Sequence, residues 1–321
     1  MTSRPKIGLV LGTGAARGIA HIGVLKAFAE HKIPIDFISG CSMGALVGAF
    51  YAAGLSVSQL EDMALNLNIK KLASLFFPSF ARSGIINGAK IEELLLAAIG
   101  NKEFKDLKIP LAVITTNVHT GEEVVINQGS VIKAVRASIS FPGLFVPVEL
   151  GNYHLIDGGI VNPLPIAEVK KMGADLSVVV DITKDVGEYT KYVKDKKHKK
   201  AKKFKEVTSK INKILLKEEK TKNFFKSLFN NKNDSSSVDS EFSTDTKMYW
   251  TPNIINIILQ TIYIMESQIG KLKLAQEKVD VVIKPDLSHI YMLEFHKTKE
   301  LIQAGYKAAK KVIKEIEDKL K

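Results

Sequence analysis

The N-terminal fifty residues alternate short apolar runs with helical patterns, and this alternation restricts the fold more than any other feature of the chain. The apolar runs Lys6–Leu11 and Ile35–Ser39 have the length of strands, and Gly18–His31 and Ser42–Ala53 have helical patterns. Strands that alternate with helices are typical of βαβ units, whose strands lie parallel in one sheet. The sequence therefore predicts an α/β fold with a mostly parallel central sheet.

Further candidate elements follow along the chain. A helical region at Val57–Gly100 precedes strand candidates at Leu111–Thr116, Val124–Asn127, Asn152–Ile156 and Leu176–Asp181, with helix candidates at Val131–Ser140 and Pro165–Met172. Later come a helix at Ile254–Leu274, a strand at Val279–Lys284 and a basic amphipathic helix at Leu301–Leu320. We expect a core at residues 1–183, a lysine-rich and Ser/Asn-rich, partly mobile insert at 184–250, and completion of the core by 251–321.

The positive charge of the chain is concentrated in this insert. Basic residues outnumber acidic residues by 46 to 34, a net charge of +12. Residues 191–232 contain 16 lysines and four acidic residues, which accounts for the whole excess. Two interpretations stay open: a solvated variable loop, or an amphipathic helix whose lysines and phenylalanines bind an anionic membrane surface. Nucleic acid is not favoured as a partner, because the insert has no aromatic platform or reading motif.

Three features bear on where the protein works. The single cysteine, Cys41, excludes an intramolecular disulfide and fits a reducing compartment. The N-terminal apolar run ends in glycines without a cleavage-site pattern, which indicates a strand and not a signal peptide. The longest apolar stretch elsewhere, Ile254–Met265, is too short and too polar for a membrane span, so we expect a buried helix. These features predict a cytoplasmic protein that can also lie peripherally on the inner membrane surface.

The glycine loop Leu11–Gly18, LGTGAARG, follows a strand and opens a helix. A dinucleotide site is not favoured, because the third glycine comes one residue late and Asp36 stands at the wrong end of the second strand. A P-loop is excluded because no Lys-Ser or Lys-Thr follows. The loop still predicts a site for negative charge, built from backbone N–H groups at a helix N-terminus beside Arg17.

The next strand-to-helix turn carries the pattern G-x-S-x-G around Ser42, between Gly40 and Gly44. Such an elbow exposes a serine hydroxyl at the carboxyl edge of the sheet, which makes Ser42 a candidate nucleophile. The alternative is that Ser42 only caps the helix. The neighbouring Cys41 is expected to point the opposite way and to be a buried structural residue, since nothing nearby lowers its pKa.

A serine nucleophile needs a base, and an aspartate is the best presented candidate. Asp157 ends an apolar strand and precedes Gly158 and Gly159, although an Asp-Gly turn is the simpler interpretation. An α/β-hydrolase would have more strands before its elbow. No His-x-x-x-His pattern or cysteine pair indicates a metal site. None of the later histidines has a glycine-turn context that would present it; these are His119, His154, His198, His289 and His296.

The order of these elements resembles the patatin-like phospholipase family. The resemblance covers Lys6 to about Asp181 and resumes at Thr251–Gly305, and the bacterial members with a GxGAARG loop are the most similar. The matching motifs are the glycine loop Gly12–Gly18, AHIGVL at Ala20–Leu25, the elbow Gly40–Gly44, TTNVHTGEEVV at Thr115–Val125, RASISFPGLFVPV at Arg136–Val148 and DGGIVNPLP at Asp157–Pro165.

The resemblance implies a three-layer α/β/α fold and a Ser-Asp dyad without a catalytic histidine, metal or cofactor. Ser42 would attack an ester of a phospholipid or lysophospholipid, and Asp157 would act as the base. The oxyanion hole would be formed by the loop that contains Gly12, Thr13, Gly14, Ala15, Arg17 and Gly18, with N–H groups around Gly14 and Ala15 as donors. Thr13 and Ala15 replace glycines of many members, so their Cβ atoms are expected to reshape this hole.

Two other functions stay open on the sequence. An acyltransferase would use the same acyl-enzyme and pass the acyl group to an alcohol in place of water. A non-catalytic lipid-binding regulator would keep the pocket without turnover, although the intact Ser42 and Asp157 argue against it. The sequence makes no prediction of the oligomeric state.

Overall fold

The computed structural model of the chain describes residues 4–66, 88–183, 254–290 and 294–321. These residues form one eight-stranded sheet in the order β5-β6-β3-β2-β1-β7-β8, with β4 also paired to β3. The central strands β3, β2, β1, β7 and β8 are parallel, whereas β4, β5 and β6 pair antiparallel. The strands are β1 (Ile7–Leu11), β2 (Phe37–Cys41), β3 (Leu111–Asn117), β4 (Glu123–Ile126), β5 (Val148–Leu150), β6 (Tyr153–Asp157), β7 (Leu176–Val180) and β8 (Val281–Ile283).

Helices cover both faces of the sheet, which confirms the three-layer α/β/α fold. A 3-10 helix, Ala15–Ile19, precedes the first α-helix. The α-helices are α1 (Ala20–Glu30), α2 (Met43–Ala52), α3 (Val57–Leu65), α4 (Ala89–Ile99), α5 (Val131–Ser138), α6 (Ile166–Lys171), α7 (Ile254–Gln276) and α8 (Thr298–Lys319). The element types were predicted correctly at these places, except that the three-residue strand β5 was missed. The predicted insert at 184–250 lies outside the described residues.

Alternation along β1 shows how the two faces are filled. Ile7, Leu9 and Leu11 are buried in the larger core, which includes side chains of α1, α2 and α8. Val10 points to the opposite face and packs with Val169 of α6. Because successive strand residues point to opposite sides, a strand covered on both faces is apolar throughout. This arrangement leaves the carboxyl ends of β1 and β2 at one edge of the sheet, next to the glycine loop and the elbow.

Helix α7 corrects one prediction. The sequence predicts a buried helix at Ile254–Met265, but Ile257, Ile258, Ile264 and Met265 are each more than 40% exposed. Only one side of the helix is inward, where Ile262 and Glu266 are buried. The apolar composition of the segment therefore reflects an apolar outer face as well as a core face. Within the described ranges, no helix combines the length and apolarity that a membrane span requires.

Candidate active site

The elbow between β2 and α2 holds Ser42 in a conformation that side chains rarely adopt. Ser42 has φ 55° and ψ −121°, and its side chain does not cap α2. A positive φ at a residue other than glycine costs free energy and is concentrated at functional sites. The turn is so tight that a Cβ atom on Gly44 would lie 2.0 Å from the carbonyl oxygen of Leu11. The geometry matches a nucleophile elbow, and the capping role considered for Ser42 is wrong.

Asp157 accepts a hydrogen bond from the Ser42 hydroxyl. The distance from Ser42 Oγ to Asp157 Oδ2 is 2.6 Å. Asp157 reaches this place because it is the last residue of β6, where it pairs with Thr115 of β3. The other carboxylate oxygen accepts the N–H of Gly159 at 2.8 Å, so the predicted turn contact is also present. Two residues 115 positions apart in sequence therefore form one hydrogen-bonded pair.

Burial makes Asp157 a better base than an exposed aspartate. The residue is 1% exposed, and burial raises the pKa of its carboxyl group from 3.8 to about 6. Hydrogen bonds from Ser42 and Gly159 offset part of this rise because they stabilise the ionised form. A base with a pKa near the working pH is ionised at pH 7 and still takes a proton readily.

Cys41 corrects a second prediction. Its side chain does not point away from the site, because Cys41 Sγ lies 3.7 Å from Asp157 Oδ1. The thiol is fully buried, and burial and the charge on Asp157 raise its pKa well above the usual value. A protonated thiol is a weak nucleophile. Cys41 is therefore placed as a weak hydrogen-bond donor to Asp157, and the prediction of a buried structural cysteine is confirmed.

Some backbone amide groups of the glycine loop stabilise the loop itself, and others are candidates for binding an oxyanion. The N–H groups of Gly12 and Thr13 donate to the carbonyl groups of Val180 and Pro163, so they fix the loop and are not available to an oxyanion. Within the described part of the chain, the N–H groups of Gly14 and Ala15 have no acceptor. Ala15 has φ 48°, a value at which glycine is favoured. These two amides are the loop's candidate oxyanion donors.

Arg17 and His21 support the loop from beneath. Arg17 is only 1% exposed, and its guanidinium group lies over the ring of Tyr263 at 5.1 Å from the centroid. His21 Nε2 lies 2.9 Å from the carbonyl oxygen of Gly12, and burial lowers the pKa of His21 to about 4. The imidazole is therefore neutral at pH 7 and donates this hydrogen bond. The positive charge expected from Arg17 is present, but the guanidinium group packs against Tyr263 of α7.

Sequence reasoning missed three residues of the site. Ser138 Oγ accepts the N–H of Ser42 at 2.9 Å and thereby fixes the elbow. Tyr263 and Glu266 come from α7, and Glu266 Oε1 accepts a hydrogen bond from Thr13 Oγ1 at 3.4 Å. For Ser138 the available signal was its place in the motif Arg136–Val148, and for Glu266 it was a carboxyl group in a mostly apolar helical stretch. Within the described residues, no group of three or more His, Cys, Asp or Glu side chains could hold a metal ion.

Three of the later histidines have other partners, and His296 is not part of the hydrogen bonds of the dyad. His119 and His154 contact each other, with their ring nitrogens 3.1 Å apart. His289 lies against Glu300 at 2.5 Å. The hydrogen bonds of the dyad do not include them. His198 lies outside the described residues.

The chain is similar to known proteins over its first half. The family model of patatin-like phospholipases matches residues 9–170. An uncharacterized NTE family protein of Mycobacterium tuberculosis is 37% identical over 181 residues, which are 56% of this chain and 50% of that protein. Lysophospholipase NTE1 of Scheffersomyces stipitis is 34% identical over 184 residues, which are 56% of this chain and 12% of that protein.

A solved structure covers more of the chain at lower identity. VipD from Legionella pneumophila aligns with 98% of this chain and 67% of its own, with a TM-score of 0.44 and 12% sequence identity. The alignment with the mycobacterial relative reaches about half of that relative's length.

Proposed function

Because this chain belongs to the patatin-like phospholipase family, we propose that it is a serine acyl hydrolase that cleaves fatty-acyl esters of phospholipids or lysophospholipids. The observation that carries the proposal is the 2.6 Å hydrogen bond from Ser42 to Asp157. It joins a strained elbow serine to a buried carboxylate with a raised pKa. A serine hydroxyl needs such an adjacent base to become a nucleophile at neutral pH.

The reaction follows from this geometry in two halves. In the first, Ser42 Oγ attacks the ester carbonyl carbon while Asp157 accepts its proton, and the loop amides of Gly14 and Ala15 stabilise the oxyanion. The carbon–oxygen ester bond then breaks, and the leaving alcohol takes the proton from Asp157. In the second half, Asp157 accepts a proton from water, which attacks the acyl-enzyme. The fatty acid leaves and Ser42 regains its proton.

The proposed substrate class is taken from the names of the relatives. One relative is named a lysophospholipase, which supports a lysophospholipid as the first substrate to test. A lysophospholipid carries one acyl ester, so the released alcohol is a water-soluble glycerophosphodiester. Transfer of the acyl group to an added alcohol is the alternative outcome, because the same acyl-enzyme serves both reactions.

We also propose that the protein works at an anionic membrane surface. The outer face of α7 exposes Ile257, Ile258, Ile264 and Met265, and the lysine-rich residues 191–232 precede this helix in the chain. An exposed apolar helix face and a lysine-rich segment each favour binding to anionic lipid. Such binding would bring the protein to its lipid substrate.

The direct test is fatty-acid release from lysophospholipid and from mixed phospholipid vesicles, with a chelator present. Ser42→Ala and Asp157→Asn are expected to reduce kcat/KM by at least about 10³-fold. Cys41→Ala is the matched control and is expected to retain activity, because its thiol is protonated and makes only a long contact. Release of no acid from any ester by the folded wild-type protein would contradict the proposal. An acyl ester formed with an added alcohol would favour the transferase.

A further inference from the structure

Helix α7 brings a second buried carboxyl group to the dyad. Glu266 is 4% exposed, although side chains on the other side of the same helix are open to solvent. It is distant in sequence from every predicted site motif, and the mechanism above does not use it. Burying a carboxyl group costs free energy, which indicates that Glu266 has a role in the site.

Three oxygen atoms converge at Gly159. A Cβ atom on this glycine would lie 2.6 Å from Glu266 Oε1, 3.0 Å from Thr13 Oγ1 and 3.2 Å from Asp157 Oδ1. Any side chain at position 159 would separate these groups, so glycine is required there for them to meet. Glu266 therefore connects the glycine loop, through its hydrogen bond with Thr13, to the place where Asp157 lies.

The charges around Glu266 disfavour its ionised form. The groups that act on it are Asp157 from β6 and Arg17 and Thr13 from the glycine loop, and Glu266 in turn raises the pKa values of Tyr263 and Cys41. Burial and the charge on Asp157 raise the pKa of Glu266 to about 8, and Arg17 offsets only part of this. Asp157 has the lower pKa, about 6, because Ser42 and Gly159 donate to it. With these pKa values, Glu266 is mostly protonated and Asp157 is mostly ionised at pH 7.

We propose that Glu266 is a positioning residue that works as a neutral carboxyl group, holding Thr13 and the glycine loop beside Asp157, and that its ionisation disrupts the site. Two ionised carboxylates across Gly159 repel strongly in a dry environment. Thr13 is hydrogen-bonded to Glu266, so a displacement of Glu266 also displaces Thr13. The amides of Gly14 and Ala15, which follow Thr13, then lose their position relative to Ser42. The kinetic test of this inference rests on the proposed hydrolase function. The spectroscopic test requires no enzymatic activity.

The spectroscopic test asks where the proton is. Infrared difference spectra between pH 7 and pH 9 are expected to show loss of a carboxylic acid band in the wild-type protein. The band should be absent in Glu266→Gln. In Asp157→Asn, which removes a charge that raises the pKa of Glu266, the band should be present at low pH and its loss should shift to lower pH than in wild type. A band that persists in Glu266→Gln, or that is missing from wild type, overturns the proposal. This result is obtained even if the protein hydrolyses no ester, so it separates failure of this inference from failure of the proposed function.

The kinetic test uses a soluble short-chain ester, so that vesicle binding plays no part. For a group with a pKa of about 8, kcat/KM of the wild type should fall about tenfold between pH 7 and pH 9. In Glu266→Gln, which cannot ionise, the ratio between these pH values should stay within about twofold. Glu277→Gln is the matched control, since Glu277 follows the same helix and only pairs with Lys170. The same fall in Glu266→Gln as in wild type would show a merely structural role and overturn the proposal.

Discussion

At the scale of single residues, the site combines two unfavourable features, a strained serine and a buried carboxylate. The positive φ of Ser42 and the burial of Asp157 each cost free energy in the folded state. Both features serve the proposed reaction, because they present a hydroxyl group and raise the basicity of its partner. Residues of this kind are expected to limit stability at the place where they support activity.

Asp157→Asn is therefore expected to make stability less dependent on pH. The pKa of Asp157 is raised from 3.8 to about 6, so the folded chain holds a proton that the unfolded chain releases in this range. The contribution of this group to the free energy of unfolding is highest below pH 4 and falls as pH rises to about 6. The asparagine variant lacks this loss, and its stability relative to wild type should increase by about 2–3 kcal/mol across the interval.

Denaturant unfolding of both proteins at pH 4, 5, 6 and 7 measures this difference. Ser42→Ala is the control: it keeps the carboxyl group but removes a hydrogen bond that lowers its pKa, so it should lose stability with rising pH at least as much as wild type, with the loss extending to higher pH. A stability difference between Asp157→Asn and wild type that stays constant with pH would contradict the assigned pKa.

The sequence identified the two central residues because each stands in a local motif with glycine neighbours. Strand ends and turns made Ser42 and Asp157 candidates, and the ordered set of motifs assigned their roles, but their contact depends on the antiparallel pairing of β6 with β3. Glu266 could not be placed, since it lies on a helix far along the chain whose rotation only tertiary packing determines. The predicted direction of the Cys41 side chain was wrong for a similar reason. The pairing of β6 places Asp157 on the side to which the thiol points.

At the scale of elements, helices and strands with clear periodicity were predicted within a few residues. Strand β5 was missed because three residues give no alternation to detect. Helix α7 was interpreted correctly as a helix, but composition alone did not distinguish its inner side from its exposed apolar side. The same helix supplies Tyr263 against Arg17 and Glu266 against Thr13, so one element supports the glycine loop twice.

The packing of α8 on α1 depends on a close approach of the two helices. A Cβ atom on Gly305 would lie 1.9 Å from the carbonyl oxygen of Ala20. Gly305→Ala should therefore force the helices apart and destabilise the fold by about 1–3 kcal/mol. Gly270→Ala is the matched control, because the added methyl group would have ordinary contacts at 3.6 Å. Because Gly270 lies within helix α7, Gly270→Ala should leave the stability of the fold unchanged or increase it. Thermal unfolding of the two variants compares them, and an equal Tm would contradict the packing argument.

At the scale of the whole molecule, the proposed membrane binding and the proposed chemistry depend on different parts of the chain. The 30 basic and 30 acidic residues outside 191–232 cancel, so the excess charge lies in one segment. Each lysine near an anionic surface contributes about 1 kcal/mol of binding, and salt screens this attraction. Catalysis of a small soluble ester does not involve such a surface.

Deletion of residues 191–232 should therefore reduce binding to anionic vesicles by at least about tenfold and remove its salt dependence. Cosedimentation with anionic and with zwitterionic vesicles at low and high salt measures the binding. Hydrolysis of a soluble short-chain ester by the same variant serves as the folding control and should be retained. If the deletion variant binds anionic vesicles as tightly as wild type, the segment is a passive loop.

The central claim is that Ser42, activated by Asp157, is the acyl-accepting nucleophile. The most direct measurement is reaction with a fluorophosphonate probe, in which a serine oxygen bonds to phosphorus and fluoride leaves, followed by intact mass and peptide mapping. Wild type and Cys41→Ala should each carry one adduct on the peptide that contains Ser42. Asp157→Asn should react much more slowly, and Ser42→Ala should not react. An adduct on another residue, or no adduct on the folded wild-type protein, would contradict the account.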